Sequence, residues 1–324
     1  MGGLKLIHGG NTYLIEKEIK TIKKNFGQIV QGINYVSLEP ETVENIIPEL
    51  QTPPFGYEQK LIIVKNCDLL KKELKTKKNK NSELIERLVK YIEENAKELF
   101  ENVTLIVVED SIDKNNSLYK TIEKYGQILE LQELKPMQLV ANLKSICKAY
   151  KVDVDDETLK YLIEKSGTSL QELINEIRKL IEYAGEGGKI TKKEVDLLAI
   201  PKIEAVIFDL TDSLGTRNID RAMEVLNNLI YNKEPVQKIL ITLYNHFKKL
   251  YLVKLALKEN TNLEELLNLK PNQGFLITKY KKQAQYFEEE KLRKILDELI
   301  NLDADSKIGL IDLNIGLEAI LCNI

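Results

Sequence analysis

The sequence predicts an α/β domain followed by an all-α remainder. Strand-like apolar runs alternate with helical periodicity up to about residue 134, several of those runs are apolar along their whole length, and no strand-like run follows Pro136. Strands that are apolar on both faces belong in a parallel sheet covered by helices, and alternation of β with α provides those helices.

The elements follow in order. The strand-like runs are Leu4–His8, Ile33–Leu38, Leu61–Val64, Val103–Val108 and Gln127–Leu131. Helical patterns fill 13–25, about 42–50, 83–97 and 117–124. In the first helix Ile15, Ile19, Ile22 and Phe26 share a face. Ser82 is the expected N-cap of the third helix, and Gly126 the expected residue just past the end of the fourth. Beyond Pro136 helices are expected over 136–150, 156–166, 169–183 and 192–199, with Thr191 and Glu194 forming a capping box. Pro201 marks a second boundary, after which the chain reads as helical to its end. A long helix after Pro235 carries Ile239, Leu243, Phe247, Leu250 and Leu257. The expected domains are therefore 1–135, 136–200 and 201–324.

Composition narrows the function classes. The chain has 324 residues, 30% of them charged, and a net charge of −3. That charge gives no basic footprint for nucleic acid over the whole chain, so any contact with DNA is expected to be local or shared with partners. The densest basic run, Lys71 to Lys80, lacks interleaved aromatics and reads as a solvated loop, with a phosphate-contacting patch as its alternative. No apolar run approaches the roughly 18 residues of a membrane span, and neither a signal peptide nor a lipidation signal is read at the start. Cys67, Cys147 and Cys322 are far apart, which fits a reducing cytoplasm and neither disulfides nor zinc. His8 and His246 are isolated and read as turn and packing residues; no hydrolytic triad can be assembled from them.

The first turn, His8-Gly9-Gly10-Asn11-Thr12, joins a strand to a helix, the layout that cradles phosphates. An active site of that kind ends the turn in Gly-Lys-Ser/Thr. Here Asn11 follows Gly10; Thr12 can supply a hydroxyl, but no lysine is in reach. The second half of such a site is an acidic pair ending the third strand, which holds Mg²⁺. Here that strand ends in Lys65-Asn66. Glu109-Asp110 end the fourth strand and read as a solvated pair. Both halves of an ATP site are thus damaged independently, and the domain reads as ATPase-like in fold without that chemistry. No cofactor or metal is expected.

Five further pieces, in the right order, resemble one family. They are Tyr13-Leu14; Pro53-Pro54-Phe55-Gly56 before Lys60–Asn66; the helix Gly167–Leu180 with its Asn-Glu and Lys-Leu; Ile207-Phe208-Asp209-Leu210 with Asp212, Leu214-Gly215, Arg221-Ala222-Met223, Pro235 and Ile239-Leu240; and Asp305-Ser306-Lys307-Ile308-Gly309. The chain resembles the δ subunit of the bacterial DNA polymerase III clamp loader over nearly its whole length. The Ser-Arg-Cys segment of related loader subunits is replaced by Asn116-Ser117-Leu118-Tyr119, which favours δ over those relatives.

The resemblance implies an ATPase-like sheet domain, a helical lid and a helical collar that joins a heteropentamer. The partners it implies are the sliding clamp (β), the γ/τ and δ′ loader subunits, and primed DNA through the assembled complex. It implies no catalysis by this chain alone, although the chain would belong to a DNA-directed DNA polymerase (nucleotidyltransferase) holoenzyme. The implied role is to grip the clamp and hold one of its interfaces open. The family's gripping pair, an apolar residue and Phe, falls on Pro54-Phe55, preceded by Pro53; Pro54 stands where Leu is usual. Two prolines fix φ and stiffen the turn that presents Phe55. The bland alternative is that Phe55 packs under the sheet. Two rivals to the whole reading are an active nucleotide hydrolase with a divergent phosphate loop and a helical adaptor unrelated to replication.

Overall fold

The computed structural model describes residues 2–71, 81–259 and 262–324. The chain forms two compact units, Met1–Glu133 and Leu134–Ile324. Most of the basic run at 71–80 lies outside the described residues.

The first unit is a five-stranded parallel sheet in the order β2-β3-β4-β1-β5. Its strands are β1 (Gly3–His8), β2 (Tyr35–Leu38), β3 (Lys60–Lys65), β4 (Val103–Glu109) and β5 (Gln127–Glu130). Alternate residues of the apolar runs go to opposite faces, as the twofold period of a strand dictates. Leu6, Ile62, Val64, Leu105 and Val107 pack with α2 (Ile46–Gln51), α3 (Ser82–Asn102) and α4 (Ser117–Tyr125). Ile7, Leu61, Ile63, Ile106 and Val108 pack on the other face with Ile15 and Ile19 of α1 (Thr12–Phe26). This is the double burial that the uninterrupted apolar runs require.

Several boundaries differ from the sequence reading. β2 starts at Tyr35 because Ile33 lies in a turn tied by Asn34, whose side chain accepts from Val30 N–H at 2.7 Å and donates to Gln28 O at 2.9 Å. The N-cap of α3 is Asn81 and not Ser82; Asn81 instead donates to Cys67 O at 2.8 Å, fixing the helix start to the loop after β3. The same helix runs on to Asn102, since Leu99 extends its buried face. Gly126 does follow α4, but with extended backbone; glycine is needed there because a Cβ would lie 2.3 Å from Leu4 O of β1.

The second unit opens with α5 (Pro136–Ala149), α6 (Asp156–Ser166), α7 (Leu170–Ala184) and α8 (Lys192–Leu198). Strands do not stop at Pro136: β6 (Asp153–Val154) and β7 (Lys189–Ile190) form a small parallel pair. Two residues per strand are too few to leave a readable period. The capping box opens α8, with Thr191 N–H donating to Glu194 Oε2 at 2.8 Å.

The rest of this unit comprises α9 (Ile203–Gly215), α10 (Ile219–Tyr231), α11 (Val236–Glu259), α12 (Leu263–Leu266), α13 (Phe275–Ala284), α14 (Glu289–Lys307) and α15 (Leu313–Cys322). They share one apolar core, with Ile239, Leu243, Phe247 and Leu250 of α11 among its wholly buried members. Leu257 departs from the expected stripe and is 50% exposed; Val253 and Ala256 continue it. His246 is buried against Phe208, and its Nε2 meets Gln283 Oε1 at 2.7 Å. Gln283 in turn donates to Phe208 O at 2.8 Å and Asp212 Oδ1 at 2.9 Å. Burial lowers the His246 pKa to about 4. Among the described residues no helix is long and apolar enough to cross a membrane.

Candidate functional site

The first glycine turn is closed by the chain itself. Gly9 follows β1 with φ +133°, and Asn11 is the N-cap of α1, its Oδ1 accepting from Leu14 N–H at 3.1 Å. Leu131, just past β5, takes two further places: its carbonyl accepts from Asn11 N–H at 3.1 Å, and its N–H donates to His8 O at 2.7 Å. A Cβ on Gly9 would lie 2.2 Å from Leu131 O, and one on Gly10 would lie 3.4 Å from Glu133 Cγ. The N–H groups of Asn11 and Leu14 are therefore engaged, and a carboxylate-bearing side chain borders the turn. Thr12 is the exposed first residue of α1. Asn11 Nδ2 is a buried donor without a partner, but one neutral amide is a weak substitute for an ammonium at the β/γ-phosphates. The residues present do not fit a nucleotide.

The metal half is equally unsuited. Lys65 ends β3, and Asn66 turns the chain with φ +48°, its N–H donating to Val108 O at 2.8 Å. Neither side chain is a carboxylate, and no cluster of three His, Cys, Asp or Glu suited to a metal occurs among the described residues. Glu109 corrects the solvated-pair reading: it is 1% exposed, while Asp110 is exposed. Its Oε1 accepts from Leu69 N–H at 3.0 Å, so the carboxyl holds the loop after β3. Burial raises its pKa to about 7, with the Leu69 and Asp68 amides acting the other way. The segment 116–119 has a local role: Asn116 caps α4 by accepting from Leu118 N–H at 2.8 Å, and donates to Leu69 O at 3.0 Å.

The second glycine turn is open. Between α2 and β3, Pro53 is exposed, Pro54 half-buried and Phe55 86% exposed. Tyr57 N–H donates to Pro54 O at 3.0 Å and Gly56 has φ +78°, the signature of a type II turn with Phe55 and Gly56 at its tip. A Cβ on Gly56 would meet nothing within 4 Å. The alternative in which Phe55 packs under the sheet is excluded by this exposure. At the base of the turn lies Lys60, 1% exposed, with Nζ donating to Glu49 O, Glu49 Oε2 and Thr52 O. The sequence reading missed Lys60 and Glu49; a lysine opening an otherwise apolar strand was the available signal.

A five-stranded parallel sheet continued by a mostly helical remainder gives the chain the ATPase-like architecture expected from its sequence. The family models for the DNA polymerase III delta subunit and for its C-terminal domain match residues 6–132 and 204–324. The chain is 25% identical over 319 residues to DNA polymerase III subunit delta of Bacillus subtilis (strain 168), covering 97% of this chain and 90% of that one. It is 29% identical over 316 residues to a probable DNA polymerase III subunit delta of Aquifex aeolicus (strain VF5), covering 94% and 85% respectively. A solved Bacillus subtilis DNA clamp loader delta protein (YqeN) superposes with a TM-score of 0.74 at 23% identity, covering 100% of this chain and 95% of that one. The chain belongs to the DNA polymerase III delta subunit family and is a clamp-loader subunit of that holoenzyme.

Proposed function

We propose that this chain grips the sliding clamp (β) through Pro53, Pro54 and Phe55 and holds one clamp interface open for loading onto primed DNA. The observation that carries this reading is Phe55, 86% exposed at the tip of a hydrogen-bonded turn. An aromatic ring held out in water by proline and glycine is unfavourable for the free protein and suits docking into an apolar pocket. In this reading the chain hydrolyses no ATP; Gly9, Gly10, Asn11 and Thr12 are a retired phosphate loop, and Lys65 and Asn66 a retired metal position. ATP is handled by γ/τ subunits, with which this chain and δ′ form a heteropentamer.

The division of labour follows 1–135 for the grip, 136–200 for a lid and 201–324 for a collar. Support for the collar comes from a cluster of exposed apolar residues around the α14–α15 connection: Ile308 and Leu310, each 70% exposed, and Ile315, 67% exposed. That surface suits subunit contacts of about 1,200–2,000 Å².

The grip is tested by Phe55→Ala in the full chain. Burying such a ring is worth about 1.5–3 kcal/mol, so clamp affinity should fall about ten- to a hundredfold with the melting temperature unchanged. Unchanged clamp affinity in the variant would end this reading.

A further inference from the structure

Lys60 sits where a lysine is costly. A buried ammonium is tolerated when each of its three donors is met. Nζ reaches Glu49 O at 2.7 Å, Glu49 Oε2 at 2.8 Å and Thr52 O at 3.2 Å, which accounts for all three. Both carbonyls lie at the C-terminal end of α2, where the last carbonyls lack helical partners and the helix dipole is negative. Thr52 is itself held, its N–H and Oγ1 reaching Pro48 O at 3.1 and 2.8 Å.

Thr52 is the residue before Pro53, and Lys60 is the first residue of β3. Their contact therefore closes the base of the loop 53–59, and Phe55 stands at its tip. A lysine used only to fill the core would gain nothing over an apolar side chain of similar size, since buried ion pairs are often no more stabilising than such replacements. Here every hydrogen bond of the ammonium goes to the residues that launch the loop.

We propose that Lys60, with Glu49, is the positioning residue of the Phe55 turn: it fixes the two ends of the loop so that the ring is presented before the clamp arrives. The inference rests on the clamp-gripping reading above. Fixing the loop in the free protein removes ordering cost from binding.

The test uses the full chain and immobilised sliding clamp, with Lys60→Met, Glu49→Gln, Phe55→Ala and the double variant Lys60→Met/Phe55→Ala. Lys60→Met should weaken binding about tenfold and Glu49→Gln about threefold, because the latter keeps the two carbonyl contacts. In the Phe55→Ala background Lys60→Met should add almost nothing, since it acts through that ring. A purely structural role would instead give additive effects. Amide exchange at Tyr57 in the free protein should quicken in Lys60→Met and Glu49→Gln. If Lys60→Met does not fold, Glu49→Gln decides on both readouts. Wild-type clamp affinity in the folded Lys60 or Glu49 variants, with Phe55→Ala impaired, would overturn the positioning role alone. Wild-type affinity in Phe55→Ala would overturn the grip, and the positioning role with it.

Discussion

Gly9 and Gly56 both lie at positive φ, +133° and +78°, and each breaks a connection between a helix and a strand of the first unit. Their surroundings are opposite. Around Gly9 the backbone is closed, with Leu131 O where a Cβ would go and Leu131 bonded to both sides of the turn; around Gly56 a Cβ would meet nothing within 4 Å. The first turn has the form of a ligand cradle but is closed by its own backbone, with Asn11 Nδ2 left as a buried donor without a partner. The second has no form known from nucleotide sites, yet leaves a large apolar ring in water. Room separates the two: the first turn is filled by Leu131, and the second holds Phe55 out in open solvent.

The contrast between the two turns is most sensitive at Gly9. Gly9→Ala forces a side chain into a backbone carbonyl at a φ that alanine avoids, and should destabilise the first unit by about 3–5 kcal/mol. Thermal unfolding measures this, and clamp affinity of the protein that remains folded should be unchanged. A variant as stable as the parent would mean that Leu131 does not close the turn.

A second effect sets the two units against each other through pH. Glu109 in the first unit has its folded pKa raised to about 7 from 4.5. Its contribution is complete below pH 4.5 and is lost as pH rises through about 7. His246 in the second unit has its pKa lowered from 6.5 to about 4, so its contribution is present above pH 6.5 and lost as pH falls toward 4. Each shift corresponds to on the order of 3 kcal/mol. Native-state hydrogen exchange should therefore show β4 amides gaining protection as the pH falls from 8 to 5, while α11 amides lose it below about 6.5. Glu109→Gln should flatten the β4 trend, because the amide oxygen can still accept from Leu69 without titrating. Persistence of that trend in the variant would remove Glu109 as its cause.

The smallest effect is at Gly56. An alanine there fits sterically but prefers another φ, at a cost of about 1–2 kcal/mol. The turn should lose population, and clamp affinity should fall about five- to thirtyfold with little change in melting temperature. Equal affinity would show that the turn geometry does not matter to the grip.

The sequence made some of this legible. Apolar runs gave the sheet strands, and the residue after Gly10 was enough to doubt a nucleotide. Other features depend on contacts that no local pattern records. Leu131 reaches Gly9 only because β5 lies beside β1, and Glu109 reads as an ordinary strand-end acid until Leu69 N–H folds onto it. Lys60 looks like a polar residue at a strand start, and its burial appears only when α2 delivers Glu49 and Thr52. β6 and β7 are too short for any period to show. The exposed turn at Phe55 was legible because its neighbours are two prolines and a glycine, residues whose conformational restriction or freedom acts locally.

If this chain has exchanged nucleotide recognition for a grip on the clamp, it binds the clamp and ignores Mg·ATP. Calorimetric titration of one preparation with the sliding clamp and, separately, with Mg·ATP tests it most directly. Saturable heat is expected with the clamp, greatly reduced in Phe55→Ala, and no binding heat with Mg·ATP. Micromolar, Mg²⁺-dependent ATP binding together with indifference to the clamp would contradict it.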